Sequence, residues 1–193
     1  MPQYTPIQVE AALARANGQT LTAIKNAALA SSTPEQRGPA RNFGTNTNVA
    51  YKAKTAHAYA HVATFAQGSI NPVVRGMAAK QAQEKSRWPD RRTCIEATTE
   101  VINSAAGQAI VNLFAASPAP SGPQRIGPGI ALVGDYYGYE AGSTQLRKVS
   151  HATTCIFITG GVLYVTTTYP ETFVAGPQGL VQEEPLDVSS LFG

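Results

Sequence analysis

Apolar residues recur along the first half of the chain at the three- and four-residue spacings of helices, and along the last third at the alternating spacing of strands. Ile7, Val9, Ala12, Leu13 and Ala16 mark a short helix that Asn17-Gly18 stops, and Leu21, Ile24, Ala28 and Leu29 mark a second that begins near Thr20. Thr33-Pro34, Gly38-Pro39 and Gly44 then make residues 31–48 a connecting loop. The run from Val49 to Phe65 is rich in alanine and free of Gly and Pro, which predicts a helix ending at Gln67-Gly68. Asn71-Pro72 opens another, extending to Arg87, since proline is tolerated in a first helical turn. After the break at Trp88-Pro89-Asp90-Arg91-Arg92, the spacing of Ile95, Val101, Ile102, Ala105, Ile110 and Leu113 predicts one long helix from Thr93 to Phe114.

The pattern changes after Ala116. SPAPSGPQRIGPG holds four prolines and three glycines in 13 residues, which reads as an extended loop. IALVGDYYGY, HATTCIFIT and GVLYVTTTY follow as strands, with Gly160-Gly161 as a hairpin turn between the last two. Helices first and strands afterwards predict an α+β fold: a helical N-terminal half, then a C-terminal antiparallel sheet packed on the long central helix. The breakers divide the chain into an N-terminal helical hairpin and linker, residues 1–48, and an α+β unit, residues 49–193, that would carry any catalysis.

Composition sharpens this picture. With 193 residues, 43% hydrophobic and 14% charged, the chain can bury a core beneath a lightly charged surface, which excludes generic disorder. No apolar run approaches the roughly 20 residues of a membrane span, and the Met-Pro-Gln start has no signal-peptide character. The expected location is therefore cytoplasmic, or wherever a dedicated system delivers the chain. The net charge of +3 is unevenly held: residues 1–92 carry 12 Lys or Arg against 4 Asp or Glu, and residues 93–193 carry 3 against 8. The basic half can attract nucleic acid or an acidic partner, or it can dock on the acidic half of its own chain. Cys94 and Cys155, without a dense cysteine pattern, are expected as free thiols.

Cys94 at the start of the long helix, with His151 at the start of a strand 57 positions later, is the arrangement most suggestive of chemistry. A helix N-terminus and the preceding Arg91 and Arg92 favour a thiolate, and an imidazole can take and return its proton. The bland reading makes Cys94 a small core residue and leaves His151 at a strand end or at the surface. Cys155 lies four residues after His151, on the same side of the strand, and reads as packing.

The segments RRTCIEATTEVI and HATTCIFITGGVLYVTTTYP resemble the core of papain-like thiol enzymes in the broad sense, which include bacterial papain-fold toxins, effector deamidases and transglutaminase-type domains. The resemblance spans residues 88–175 and implies Cys94 as nucleophile and His151 as base. It also calls for a polar residue near the second hairpin strand to orient the imidazole. That stretch, VTTTYPET, has no Asp or Asn, and Glu171 is the candidate. The implied activity is cysteine-dependent amide hydrolysis, by a protease or a glutamine deamidase, in a toxin or effector module. Its partners would be a protein or peptide substrate and an acidic or immunity-type protein. No cofactor or metal is implied.

Other features support a second class, a non-enzymatic binding or structural protein whose basic half docks nucleic acid or an acidic partner. Lys80, Lys85, Arg87, Arg91 and Arg92 surround Trp88, the ingredients for neutralising phosphates and stacking a base, although the same tryptophan can plug the core beside the Cys94 helix. His57 and His61 share a helix face at i and i+4 as a metal pair would, yet no HExxH pattern accompanies them. Glu183 and Glu184 evoke the paired acidic motif of ADP-ribosyltransferases without its Ser-Thr-Ser strand.

Overall fold

Gly160 and Gly161 both take positive φ, 58° and 73°, and turn the chain between two long antiparallel strands. In the computed structural model, which describes residues 3–17, 19, 23–24, 56, 58–63 and 85–175, these strands are β2 (Leu146–Thr159) and β3 (Val162–Phe173). With β1 (Gln124–Tyr139) they form one sheet in the order β1-β2-β3. The described helices are α1 (Pro6–Ala16), α2 (Arg91–Asn103) and α3 (Ala105–Leu113), with a 3-10 turn at Ala58–His61. The fold is mixed α+β.

β1 begins within the proline-rich stretch expected to be a loop, and the pairing with β2 slips between Ile126 and Ile130, where Gly127-Pro128-Gly129 sits. Proline has no N–H for the ladder, so the strand accommodates it at a bulge. A second irregularity between Ala131 and Tyr136 turns the Val133 and Gly134 N–H groups toward α2, where the Glu100 carboxylate accepts both. Strand pairing on both sides of an awkward sequence overrides local loop character.

The long helix expected over residues 93–114 is two helices. Ser104 is extended, with ψ 161°, so its backbone closes α2. Its side chain accepts from the Gly107 N–H at 3.1 Å and caps α3. Serine competes for backbone hydrogen bonds more readily than the apolar periodicity reveals. Asp90 caps α2 by accepting from the Thr93 N–H at 2.8 Å. α1 opens with a capping box between Thr5 and Gln8, and Asn103 brackets the backbone of Tyr4 with two hydrogen bonds of 2.8 Å. Val9, Ala12 and Leu13 of α1 thereby join a core shared with Val101 and Ile102 of α2 and with Ile126, Val149, Ile156 and Val165 of the sheet.

Within the run expected as a helix from Val49 to Phe65, residues 58–61 form the 3-10 turn, Val62 bridges Trp88 in parallel, and Ala63 is helical. This bridge needs extended backbone and excludes a helix continuing through Val62. Most of the second N-terminal helix, the loop over 31–48, residues 71–84 and the Glu183–Glu184 tail lie outside the described residues, as does the boundary at residue 48.

Gly107 gives a direct test of the Ser104 junction. A Cβ there would lie 2.3 Å from the carbonyl oxygens of Val101 and Ile102, so the substitution must push two helices apart. Helix propensity alone favours Gly107→Ala by about 1 kcal/mol; the contact reverses the sign, and a loss of about 1–3 kcal/mol is expected in urea denaturation.

Candidate functional site on the sheet face opposite the helices

Successive side chains of β2 point to opposite sides of the sheet, and the two sides have different fates. Ala152, Thr154 and Ile156 are buried beneath the helices. Thr154 Oγ1 lies 3.0 Å from Thr168 Oγ1 of β3, which lies 2.9 Å from Thr98 Oγ1 of α2. The Cys94 thiol hydrogen-bonds Thr98 and so ends this buried polar chain.

Cys94 therefore does not meet the expectation of an activated thiol. It is fully buried, and desolvation pushes its pKa up to about 12, with Asp90 adding to the rise; the hydrogen bond from Thr98 and the charge of Arg91 oppose it too weakly. The capping carboxylate of Asp90 has taken the place at the helix N-terminus that a thiolate would exploit. Arg91 and Arg92 pair with Glu10 and Glu96, each at 2.8 Å. His151 is not beside Cys94: its Nδ1 lies 2.9 Å from Ser150 Oγ, and its ring borders Gly129. Both cysteines are free.

The structure does bring His151 and Glu171 to one neighbourhood. Glu171 reaches from β3 across the middle strand toward β1. Its carboxylate accepts from the Gly129 N–H at 2.8 Å, from Arg125 Nη2 at 3.1 Å and from the Thr153 hydroxyl. Burial raises its pKa, but the hydrogen bonds from Thr153, Gly129 and Arg125 and the guanidinium charge outweigh burial and hold the carboxyl below its ordinary value. Gly129, at φ 48°, is in the left-handed region, and this conformation aims its N–H inward. Tyr169, paired with Thr153 across the strands, hydrogen-bonds the Thr153 side chain. Its phenol pKa is raised by burial, and Glu171 and Cys155 add to a rise that Arg125 and Thr153 oppose, so it remains protonated at neutral pH.

His61 completes this face, and sequence reasoning had weighed it only as half of a metal pair. The 3-10 turn sets its ring 5.3 Å from the Tyr169 ring, nearly buried, with Nδ1 3.1 Å from the Ser86 carbonyl oxygen. A carbonyl only accepts, so Nδ1 carries the proton and Nε2 is the basic nitrogen. The same logic applies to His151. The Ser150 hydroxyl donates to the Thr172 carbonyl and so must accept from His151 Nδ1–H. Both imidazoles have Nδ1 committed. Their neighbourhood could have been found in the alternation of Thr153, Tyr169 and Glu171; Arg125 joins through its pairing with Cys155 in a stretch whose composition reads as loop, and Gly129 only through the bulge.

Of the two roles read for Trp88, base stacking and plugging the core beside the Cys94 helix, the structure shows the second: it is fully buried and offers no face to a ligand. Arg87 lies over the Tyr139 ring and donates to the Ser143 carbonyl at 3.0 Å. Among the described residues no three His, Cys, Asp or Glu side chains converge as a metal site requires; His57 and Lys80 lie outside them. No described helix is long and apolar enough to cross a membrane.

No family model matches the chain, and no curated protein matches it. Among solved structures, it is similar to a chain in the crystal structure of a CdiA-CT/CdiI complex from Y. kristensenii, with a TM-score of 0.34 and 22% identity over 45% of this chain and 76% of that one. A likeness of this size carries no argument about activity.

Two measurements check this geometry. Alkylation of the native protein followed by mass spectrometry is expected to label partly buried Cys155 well before fully buried Cys94, with Cys94 equally inert in His151→Ala. Because the Glu171 pKa is lower in the folded than in the unfolded state, its ionisation stabilises the fold above the unfolded carboxylate value of about 4.3, and this contribution disappears as pH falls through the folded value. Glu171→Gln is therefore expected to flatten the acid limb of a plot of Tm against pH.

Proposed function

We propose that the chain is a phosphodiesterase that cleaves RNA by acid–base transesterification on the sheet face opposite α2. One observation carries the reading: three anion-binding donors, Arg125, the Gly129 N–H and Thr153, converge on one carboxylate, with Tyr169 joining Thr153 to the His61 ring and His151 bordering Gly129, and both imidazoles have Nδ1 committed. A base and an acid beside an oxyanion site suit an in-line displacement at phosphorus.

The residues divide the work as follows. His61 Nε2 takes the proton of a ribose 2′-hydroxyl, whose oxygen attacks the adjacent phosphorus. The bond from phosphorus to the 5′-oxygen breaks, and a protonated His151 supplies the proton to that leaving oxygen. The products are a 2′,3′-cyclic phosphate and a 5′-hydroxyl. The Arg125 guanidinium balances the charge that builds on the non-bridging oxygens, and the protonated Tyr169 phenol adds a donor. RNA is the favoured polymer because its 2′-hydroxyl supplies the nucleophile, and the basic N-terminal half suits a polyanion. An enzyme of this kind needs restraint in the cell that makes it, so an acidic inhibitor protein is the partner this reading implies.

Amide hydrolysis by a Cys94 thiolate, the activity implied by the papain-like resemblance, finds no support in this geometry, because the thiol is buried and protonated and has no imidazole partner beside it. A module that binds RNA without turnover remains the second reading, carried by the same donors.

The test is a fluorescent RNA oligonucleotide incubated with the full chain in the presence of EDTA. Cleavage leaving cyclic phosphate ends is expected, with a 2′-deoxy substitution at the scissile position abolishing it. His61→Gln should lower the rate by roughly 10²–10⁴, the usual range for loss of a general base. Prior alkylation with iodoacetamide should leave it intact. Binding without cleavage would establish the module reading, and an RNA that is neither bound nor cut would sink both.

A further inference from the structure

The Glu171 carboxylate is held as a bound anion would be. It comes from the edge strand, crosses the whole sheet, and is met by a guanidinium, a backbone N–H and a hydroxyl, which are the donors that proteins use for phosphate. The pocket is shaped by absence of side chain. A Cβ on Gly127 would lie 2.8 Å from Thr153 Oγ1 and 3.3 Å from Arg125 Nε, so any other residue there would crowd two of the three donors. Gly129 needs its left-handed φ to present the N–H. Glu171 is the anionic member, and its side chain, 27% exposed, can rotate into water; Arg125, 48% exposed, stays tethered to β1 and able to meet an incoming anion, while Thr153 is fully buried and Gly129 is fixed in the bulge.

We propose that Arg125, the Gly129 N–H and Thr153 Oγ1 form a phosphate-binding cradle, and that Glu171 occupies it in the resting protein as a built-in competitor that a phosphate group must displace. Identifying the anion as a phosphate rests on the RNA-cleaving reading; the cradle itself stands on its donors. The inorganic phosphate dianion can engage all three donors at once and brings more charge to Arg125 than a carboxylate does; an RNA phosphodiester carries one charge, as the carboxylate does, and gains the second only as its transition state forms, where the cradle would hold it best. Meanwhile the carboxylate keeps the buried Thr153 hydroxyl and the part-buried Gly129 amide satisfied, pairs with exposed Arg125 and keeps other anions out. His151 Cβ lies 3.5 Å from where a Gly129 Cβ would be, so a phosphate seated in the cradle would sit beside that imidazole.

The experiment titrates inorganic phosphate into 15N-labelled full-length protein and follows the Gly129 amide and the Arg125 Nε–H by NMR. Wild type is expected to bind weakly. Glu171→Ala, which vacates the cradle, should bind at least about ten-fold more tightly, as expected when a competing charge-assisted contact is removed. Adding Arg125→Gln to that variant should return binding to the wild-type level or below. Glu171→Gln, which keeps the shape but removes the charge, should fall between the two and serves if the alanine variant does not fold. Equal phosphate affinity in wild type and both Glu171 variants, or tight binding that survives loss of Arg125, overturns the proposal. Running the RNA assay on the same samples separates the two ideas. Tightened phosphate binding without RNA cleavage keeps the cradle and removes the enzyme reading; cleavage with unchanged phosphate affinity does the reverse.

Discussion

The chain of hydroxyls joining Thr98 of α2 to Thr168 of β3 and Thr154 of β2 is the contact on which the rest of the structure depends. Buried polar groups must find partners, and three threonines in a row between a helix and a sheet satisfy one another only at one height and rotation of the helix. That docking decides which face of each strand is core. Once Thr154 and Thr168 point into the helix, their neighbours Thr153 and Tyr169 must point away, because strand side chains alternate. Cys94 is part of the same chain, which gives its burial and raised pKa a structural purpose.

The opposite face carries the polar residues that do not face α2, with Thr153 and His61 buried and Arg125 exposed. Their positions come from two departures from regular structure. The Gly127-Pro128-Gly129 bulge turns an amide of β1 inward, and the bridge between Val62 and Trp88 holds the 3-10 turn against β3 so that His61 meets Tyr169. Both departures are anchored in the core: Trp88 and Val62 are fully buried, and Ile126 just before the bulge is too. The Thr153 hydroxyl and the Gly129 amide are fixed by the sheet, while the exposed Arg125 and partly exposed Glu171 side chains can move, a division that suits a surface meant to exchange one anion for another.

Electrostatics follow the same plan. Most ion pairs, such as Arg91 with Glu10 and Arg92 with Glu96, are exposed and contribute little to stability. Glu171 differs because a buried hydroxyl and a backbone amide share its charge with the guanidinium, so its ionisation is tied to the geometry of the sheet rather than to one flexible partner.

The sequence by itself left Trp88 open between core and base stacking, but determined the α+β class, the two long hairpin strands with their Gly160-Gly161 turn, and a helix beginning close after Trp88-Pro89, placed two residues late at Thr93. These depend on short-range periodicity, turn chemistry and capping, which the local chain carries in full. It also singled out His151 and Glu171, but assigned them to Cys94. Only the tertiary structure decided otherwise. Whether a thiol at a helix start is activated depends on burial and on the carboxylate that caps the helix, and whether Arg125, Gly129, Thr153 and Glu171 meet depends on strand register. A one-residue slip in the pairing would send each of these side chains to the other face, and the bulge that sets the register occupies a stretch whose composition reads as loop.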